Sequence, residues 1–191
     1  MGAMNSDLWT TLAARRHVAL RRLQAPGPDD AALARMMDAA AQAPDHGCLL
    51  PWRFVLIPPE RRDDLGAVFE EALAQRDPTA DDAARASARA KALHAPCLLV
   101  AVLVDAPGTA IPVEEKLVSL GCALQNVLLA AQALGFASGL ASGGALDTPA
   151  MRRLLALDAH ERAVCFIGIG TGEPKKTPRV RPQPGQFFTS L

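Results

Sequence analysis

Ala43-Pro44-Asp45-His46, followed by Pro51-Trp52-Arg53-Phe54-Val55-Leu56-Ile57, ends a helix, crosses a polar loop and enters a strand beside an indole. Proline stops the helix, because it lacks an N–H and restricts the residue before it. The run Phe54–Ile57 is short and apolar, bounded by Pro58-Pro59, and reads as a buried strand. About thirty residues upstream stands a second signal, Arg15-Arg16-His17, where an opening helix runs into a loop. Two arginines there favour the negative end of the helix dipole, which accounts for most such pairs.

Outward from these segments, helices and strands alternate. Asp7 is placed to cap a helix to about Arg16, with Leu8, Trp9 and Leu12 on its buried side. Pro28-Asp29-Asp30 starts a second helix, with Leu33, Met36 and Met37 as its stripe. Asp63 to Gln75 is amphipathic. Asp81 to Leu93 is rich in Ala and Arg with a weak apolar face, and reads as a lid. Pro96–Val104 is apolar on both faces and therefore a central strand. Val113–Leu134 is a long helix, apolar almost all round, which suits burial with a subunit interface along one side. Gly135–Gly139 reads as a loop and Leu140–Leu146 as extended. Thr148-Pro149 caps a helix to Leu157, and Ala163–Ile169 is a last strand. Gly168-Ile169-Gly170-Thr171-Gly172 is not a dinucleotide-binding turn, since the Pro- and Lys-rich segment after it is a poor helix former. Its glycines are expected in a turn out of the last strand.

The 191 residues suit one domain, residues 1–191, with a full core. Residues 1–6 are expected to be disordered or a cloning remnant, and residues 173–191 to form a tail that extends over a partner. Lys plus Arg equals Asp plus Glu at 20 each, so no basic field draws nucleic acid. No apolar run is long enough to span a bilayer. The four cysteines are scattered, which fits a reducing cytoplasm. His17 and His46 lack the neighbours that a metal site needs, so no metal is expected.

The ordered set is more specific than any part of it. Arg-Arg, a helix ending in Ala-Pro-Asp-His, Pro-Trp into a strand, the long helix, a Gly-Phe loop, the extended Ser142-Gly143-Gly144-Ala145-Leu146 stretch, a final strand and a basic Pro-rich tail follow one another as in the nitroreductase family of flavoenzymes. The chain resembles its short members from about Leu12 onward. The resemblance implies an α+β fold, with a mixed or antiparallel sheet flanked by helices in an intertwined homodimer with tail exchange. It implies FMN at the subunit interface, NADH or NADPH as reductant, and a nitroaromatic or quinone-like acceptor in a ping-pong cycle.

By the same resemblance Arg15 meets the FMN phosphate, with Arg16 and His17 beside it. Arg179 or Arg181 adds a second contact. Gln42 and His46 contact the cofactor from the other subunit. Ala141, Ser142, Gly143 and Gly144 lie along the isoalloxazine ring, and no side chain serves as a dedicated catalytic acid or base. His17 stands where Ser is common, Leu50 where Gln is common, and Ala141 where the short members often carry an aromatic. A flavin carrier or sensor without turnover, and another flavin reaction on the same scaffold, are the alternative readings.

Overall fold

The computed structural model describes residues 6–172 and 180–191. Its centre is a four-stranded sheet in the order β1-β2-β4-β3, formed by Trp52–Leu56 (β1), Cys97–Val104 (β2), Ala137–Ala141 (β3) and Glu161–Gly170 (β4). All three pairings are antiparallel. The α+β expectation is met, and the sheet resolves to antiparallel. One isolated bridge, His17 to Ser138, is parallel and lays the segment after the first helix beside β3.

The side chains of β2 alternate between two cores, as strand geometry requires. Leu99, Ala101 and Leu103 face helices α2 (Asp30–Ala40) and α5 (Val113–Ala133), joining Met36, Leu120 and Val127. Leu98, Val100 and Val102 face the other way, toward α3 (Arg62–Arg76) and α6 (Pro149–Leu154), joining Leu65, Met151 and Phe166. A strand buried on both faces reads as a continuous apolar run.

Local chemistry sets the helix starts. Asp29 accepts from the Ala32 amide at 2.8 Å and caps α2. Asp81 accepts from the Ala84 amide at 2.8 Å and caps α4 (Asp82–Ala90). Thr148 accepts from the Met151 amide at 3.2 Å, with Pro149 in the first turn of α6. Each such cap contributes about 1 kcal/mol.

The remaining helix, α1 (Ser6–Ala14), differs from its expectation. Asp7 falls inside it rather than at its start, and Leu8, Trp9 and Leu12 are exposed in the single chain. On α5 the buried positions Lys116, Ser119, Leu120, Ala123, Val127 and Ala131 make one stripe, while Val118 stays exposed. The long helix is therefore half covered.

Three further expectations are corrected. Ala137–Gly139 is strand, not loop, because it pairs with β4 through Ala137–Gly170, Ser138–Ile169 and Gly139–Gly168. The extended stretch ends at Ala141, and Gly144–Asp147 forms a 3-10 turn. Gly168 and Gly170 lie within β4, where the strap of residues 17–25 crosses the sheet. A Cβ at Gly168 would stand 2.5 Å from Leu20 Cγ, and one at Gly170 would stand 2.8 Å from the Gln24 carbonyl. The Ala/Arg-rich stretch forms helix α4 and a 3-10 turn at Lys91–Leu93. It packs along α3, with Arg89 paired to Glu70 at 3.4 Å.

At the far end of β4, Arg53 holds Glu161 through two contacts of 2.6 and 2.7 Å. This bidentate bond is the main reason that the Glu161 carboxyl is held below its ordinary value of 4.5. A depressed folded-state pKa stabilises the fold above the unfolded value and is lost as pH falls through the folded value. Glu161→Gln should therefore lower the melting temperature most above about pH 5. The gap should narrow on acidification below pH 4.5. Thermal melts across that range check this, and a gap that widens in acid would contradict it.

Candidate active site

The basic doublet is divided by the end of α1. The helix stops at Ala14, so both arginines lie just past its last turn. The guanidinium of Arg16 turns back and donates to the carbonyls of Ala13 and Arg15. It thereby satisfies acceptors that the helix leaves open.

Arg15 is half-buried, and its guanidinium is lowered from the ordinary arginine range by burial first, then by Arg181 and Arg16. Arg181 donates to the Arg15 carbonyl at 3.4 Å, so the tail brings a third cation here. Among the described residues, no ion pair engages Arg15, Arg16 or Arg181. Three guanidinium groups crowded without a carboxylate fit an external dianion such as a phosphate. Arg179 lies outside the described residues.

His17 follows directly and is exposed, beside Ser138 through the backbone bridge. The Val18 amide donates to the Ser138 carbonyl at 2.9 Å. From Ser138 the strand β3 runs to Ala141, about 10 Å further on at strand rise. There Ala141, Ser142, Gly143 and Gly144 line one wall of a cavity of about 650 Å³. A Cβ at Gly143 or Gly144 would meet nothing within 4 Å, so this wall is open. Phe69, Leu73, Leu98 and Phe166 form the apolar interior. Thus β3 joins the cation cluster to an apolar cavity with a backbone wall, a span that a ribityl phosphate chain can bridge. The residues fit FMN at both ends.

Gln42 and His46 line neither part. Gln42 is exposed and donates to the Asp38 carbonyl at 3.4 Å. His46 Nδ1 is 2.6 Å from Glu115 Oε2, at the start of α5. Trp52 is not a ring contact within this chain. It is buried, and its indole N–H donates to Ser119 Oγ at 3.0 Å. The polar loop after Pro44 is closed by the Asp45 carboxylate, which accepts from the Leu50 amide at 2.7 Å.

The cavity also gathers residues outside the sequence motifs. Arg21, Arg76, Lys91 and His94 line it, and no Asp or Glu does. The His94 imidazole is lowered from its ordinary value by burial, then by Arg21 and Lys91. Arg21-Arg22, a second basic doublet close after the first, was the one sequence signal for this convergence.

Among the described residues, no cluster of three or more His, Cys, Asp or Glu could hold a metal, and no helix is long and apolar enough to cross a membrane. Comparison with known proteins bears on the family and the fold. The model of the Nitroreductase family matches residues 12–171. YdjA of Escherichia coli (strain K12), named "Putative NAD(P)H nitroreductase", is 30% identical over 169 residues, covering 88% of this chain and 91% of YdjA. A Haemophilus influenzae protein of the same description is 31% identical over 170 residues, covering 88% and 90%. The nitroreductase-like family protein from Bacillus cereus superposes with a TM-score of 0.79 at 21% identity, covering 100% of this chain and 98% of that one. Nitroreductase with bound FMN from Bacteroides fragilis NCTC 9343 gives 0.70 at 21% identity, covering 98% and 100%. With its family model, its relatives and its fold in agreement, the chain belongs to the Nitroreductase family.

Proposed function

We propose that this protein is an FMN-dependent oxidoreductase that takes reducing equivalents from NADH or NADPH and passes them to a small organic acceptor, nitroaromatic or quinone-like. The observation that carries this reading is the cluster of Arg15, Arg16 and Arg181 without a carboxylate partner, joined by β3 to the open wall at Ala141–Gly144. The relatives support it. One is named as an NAD(P)H nitroreductase, and one fold neighbour is described with bound FMN.

When bound, FMN would supply the hydride-transfer chemistry, at N5, that links the nicotinamide to the acceptor in a ping-pong cycle. The protein's residues bind and orient. Arg15 and Arg181 hold the phosphate, while Arg16 fixes the end of α1 and His17 lies beside them. The Gly143-Gly144 backbone, bare of side chains, lets a flat ring approach closely. No side chain acts as a dedicated proton donor.

The functional unit in this reading is a homodimer with two sites at the interface. Leu8, Trp9 and Leu12 on α1 and Val118 on α5 are exposed apolar residues that a second copy would cover. Phe187, Phe188 and Leu191 on the tail are exposed too, as an exchanged arm over the partner requires. Gln42 and His46 then reach the cofactor of the other subunit. Sedimentation velocity reads this directly, and a monomer with full flavin content would remove the shared site.

Arg15→Ala should weaken FMN binding by about ten- to a hundredfold, the loss of one charge-assisted contact of ~1.5–3 kcal/mol. Arg61→Ala is the control, because Arg61 is exposed and its guanidinium is paired with Asp64 at 2.6 Å. Flavin fluorescence titration measures both. Equal effects would take Arg15 out of the phosphate site.

A further inference from the structure

We propose that the cavity selects an acceptor with an apolar, ring-sized body and an anionic substituent, a carboxylate or sulfonate, that docks among Arg21, Arg76, Lys91 and His94. The proposal rests on the flavin reading above and names the substrate class of that site.

The cavity is one-sided in charge. Those four cationic or protonatable side chains line it, and not one carboxylate does. The whole chain balances 20 Lys and Arg against 20 Asp and Glu, so this concentration is local rather than a reflection of composition. Among the described residues, no ion pair uses Arg21, Arg76, Lys91 or His94. The nearest acid in sequence, Asp77, feels Arg76, but its carboxylate accepts from the Thr79 hydroxyl at 2.7 Å and the Thr79 amide at 3.1 Å. The His94 imidazole feels the charge of both Arg21 and Lys91, and all three line the same cavity.

Like charges gathered without a counter-charge raise the free energy of the empty site, and an anion relieves them. The flavin phosphate does not serve this purpose, because Arg15 and Arg181 already provide for it at the other end of β3. Below the rim the walls are aromatic and aliphatic. Phe69 and Phe166 stand edge to face at 5.5 Å, with Leu73 and Leu98 beside them. An aromatic body with a negative group matches both parts of the cavity, whereas a neutral acceptor uses only one.

The test compares 4-nitrobenzoate with 4-nitrobenzyl alcohol, close in shape but different in charge. Dithionite-reduced holoprotein is mixed with each, and flavin reoxidation is followed. The nitrobenzoate rate constant should be about tenfold higher at low salt, and the ratio should approach unity at high salt. It should also fall toward unity in the Arg76→Gln/Lys91→Gln double variant, whose substituted side chains lie on the exposed rim. Equal rates in the wild type, or a ratio that survives the double variant, would overturn the proposal. A defect confined to reduction by NADPH would give the rim to the nicotinamide phosphate and overturn it as well. Calorimetric binding of the same two probes reads the cavity without turnover. A chain with no reducible flavin would defeat the flavin reading, while a preference for nitrobenzoate in calorimetry would still support the anion site. Equal binding there would end both.

Discussion

Gly139→Ala is expected to destabilise the protein by about 3 kcal/mol and to weaken FMN binding at least tenfold. A Cβ at this position would stand 2.0 Å from the Val18 carbonyl oxygen and 3.0 Å from His17 Cε1. The obstacle is backbone, so no rotamer change can relieve it. Gly139 is buried within β3, between Gly168 of β4 and the strap that begins at His17, directly after Arg15 and Arg16. The strap must lift, and the bond from the Val18 amide to the Ser138 carbonyl must lengthen or break. The phosphate cluster would move with it. Urea unfolding and FMN titration of the same variant read the two effects. Normal stability with normal affinity would mean that the strap does not cross the sheet at Gly139.

The second large effect is expected at Arg62. This arginine opens α3 and is buried, yet no carboxylate among the described residues pairs with it. Its partners are carbonyls: Ile57 at 2.9 Å, Ala92 at 2.8 Å, and Ala95 and Pro96 each at 3.4 Å. Burial lowers the guanidinium from its ordinary range, and hydrogen bonds to four oxygens offset part of the desolvation. The clamp ties the end of β1 to the connection between α4 and β2. That connection carries Lys91 and His94 to the cavity, and Ala95 within it has a φ of 68°. Arg62→Met keeps much of the volume but orphans the carbonyls, and should cost about 3 kcal/mol or more. Arg62→Lys, with one point donor in place of a fork, should fall between. Chemical denaturation orders the three proteins, and a methionine variant as stable as the wild type would show the clamp to be dispensable.

The parts of the fold legible in the sequence are those decided locally. Thr148 was legible as a cap and Asp29 and Asp81 as helix starts, because a short oxygen-bearing side chain can accept from the first free amides of a helix; that Asp29 and Asp81 are themselves the capping residues came from the structure. Pro96–Val104 announced a central strand because both faces are apolar. The misreadings come from long-range contacts. Ala137-Ser138-Gly139 has poor strand propensity, and only the strap crossing above it explains why glycine is needed there. The same crossing accounts for Gly168 and Gly170, which had suggested a turn. Leu8, Trp9 and Leu12 were read as buried because apolar periodicity says that a face is covered, without saying by which chain.

The site divides in the same way. Arg15 and Arg16 were found together as charge at a helix end, and it is the hydrogen bonds of Arg16 to the Ala13 and Arg15 carbonyls that set it apart as serving the helix. Trp52 carries a motif but fills the core. The rim of Arg21, Arg76, Lys91 and His94 draws on three separate segments of the chain, and no spacing rule connects them.

The measurement that bears most directly on the central claim is the absorption spectrum of the purified protein, before and after NADH or NADPH under nitrogen. The account predicts flavin bands near ~450 nm that bleach with at least one of the two reductants. Bands that persist with both would support a flavin carrier or sensor without turnover. A colourless protein that also fails to take up added FMN would contradict the account.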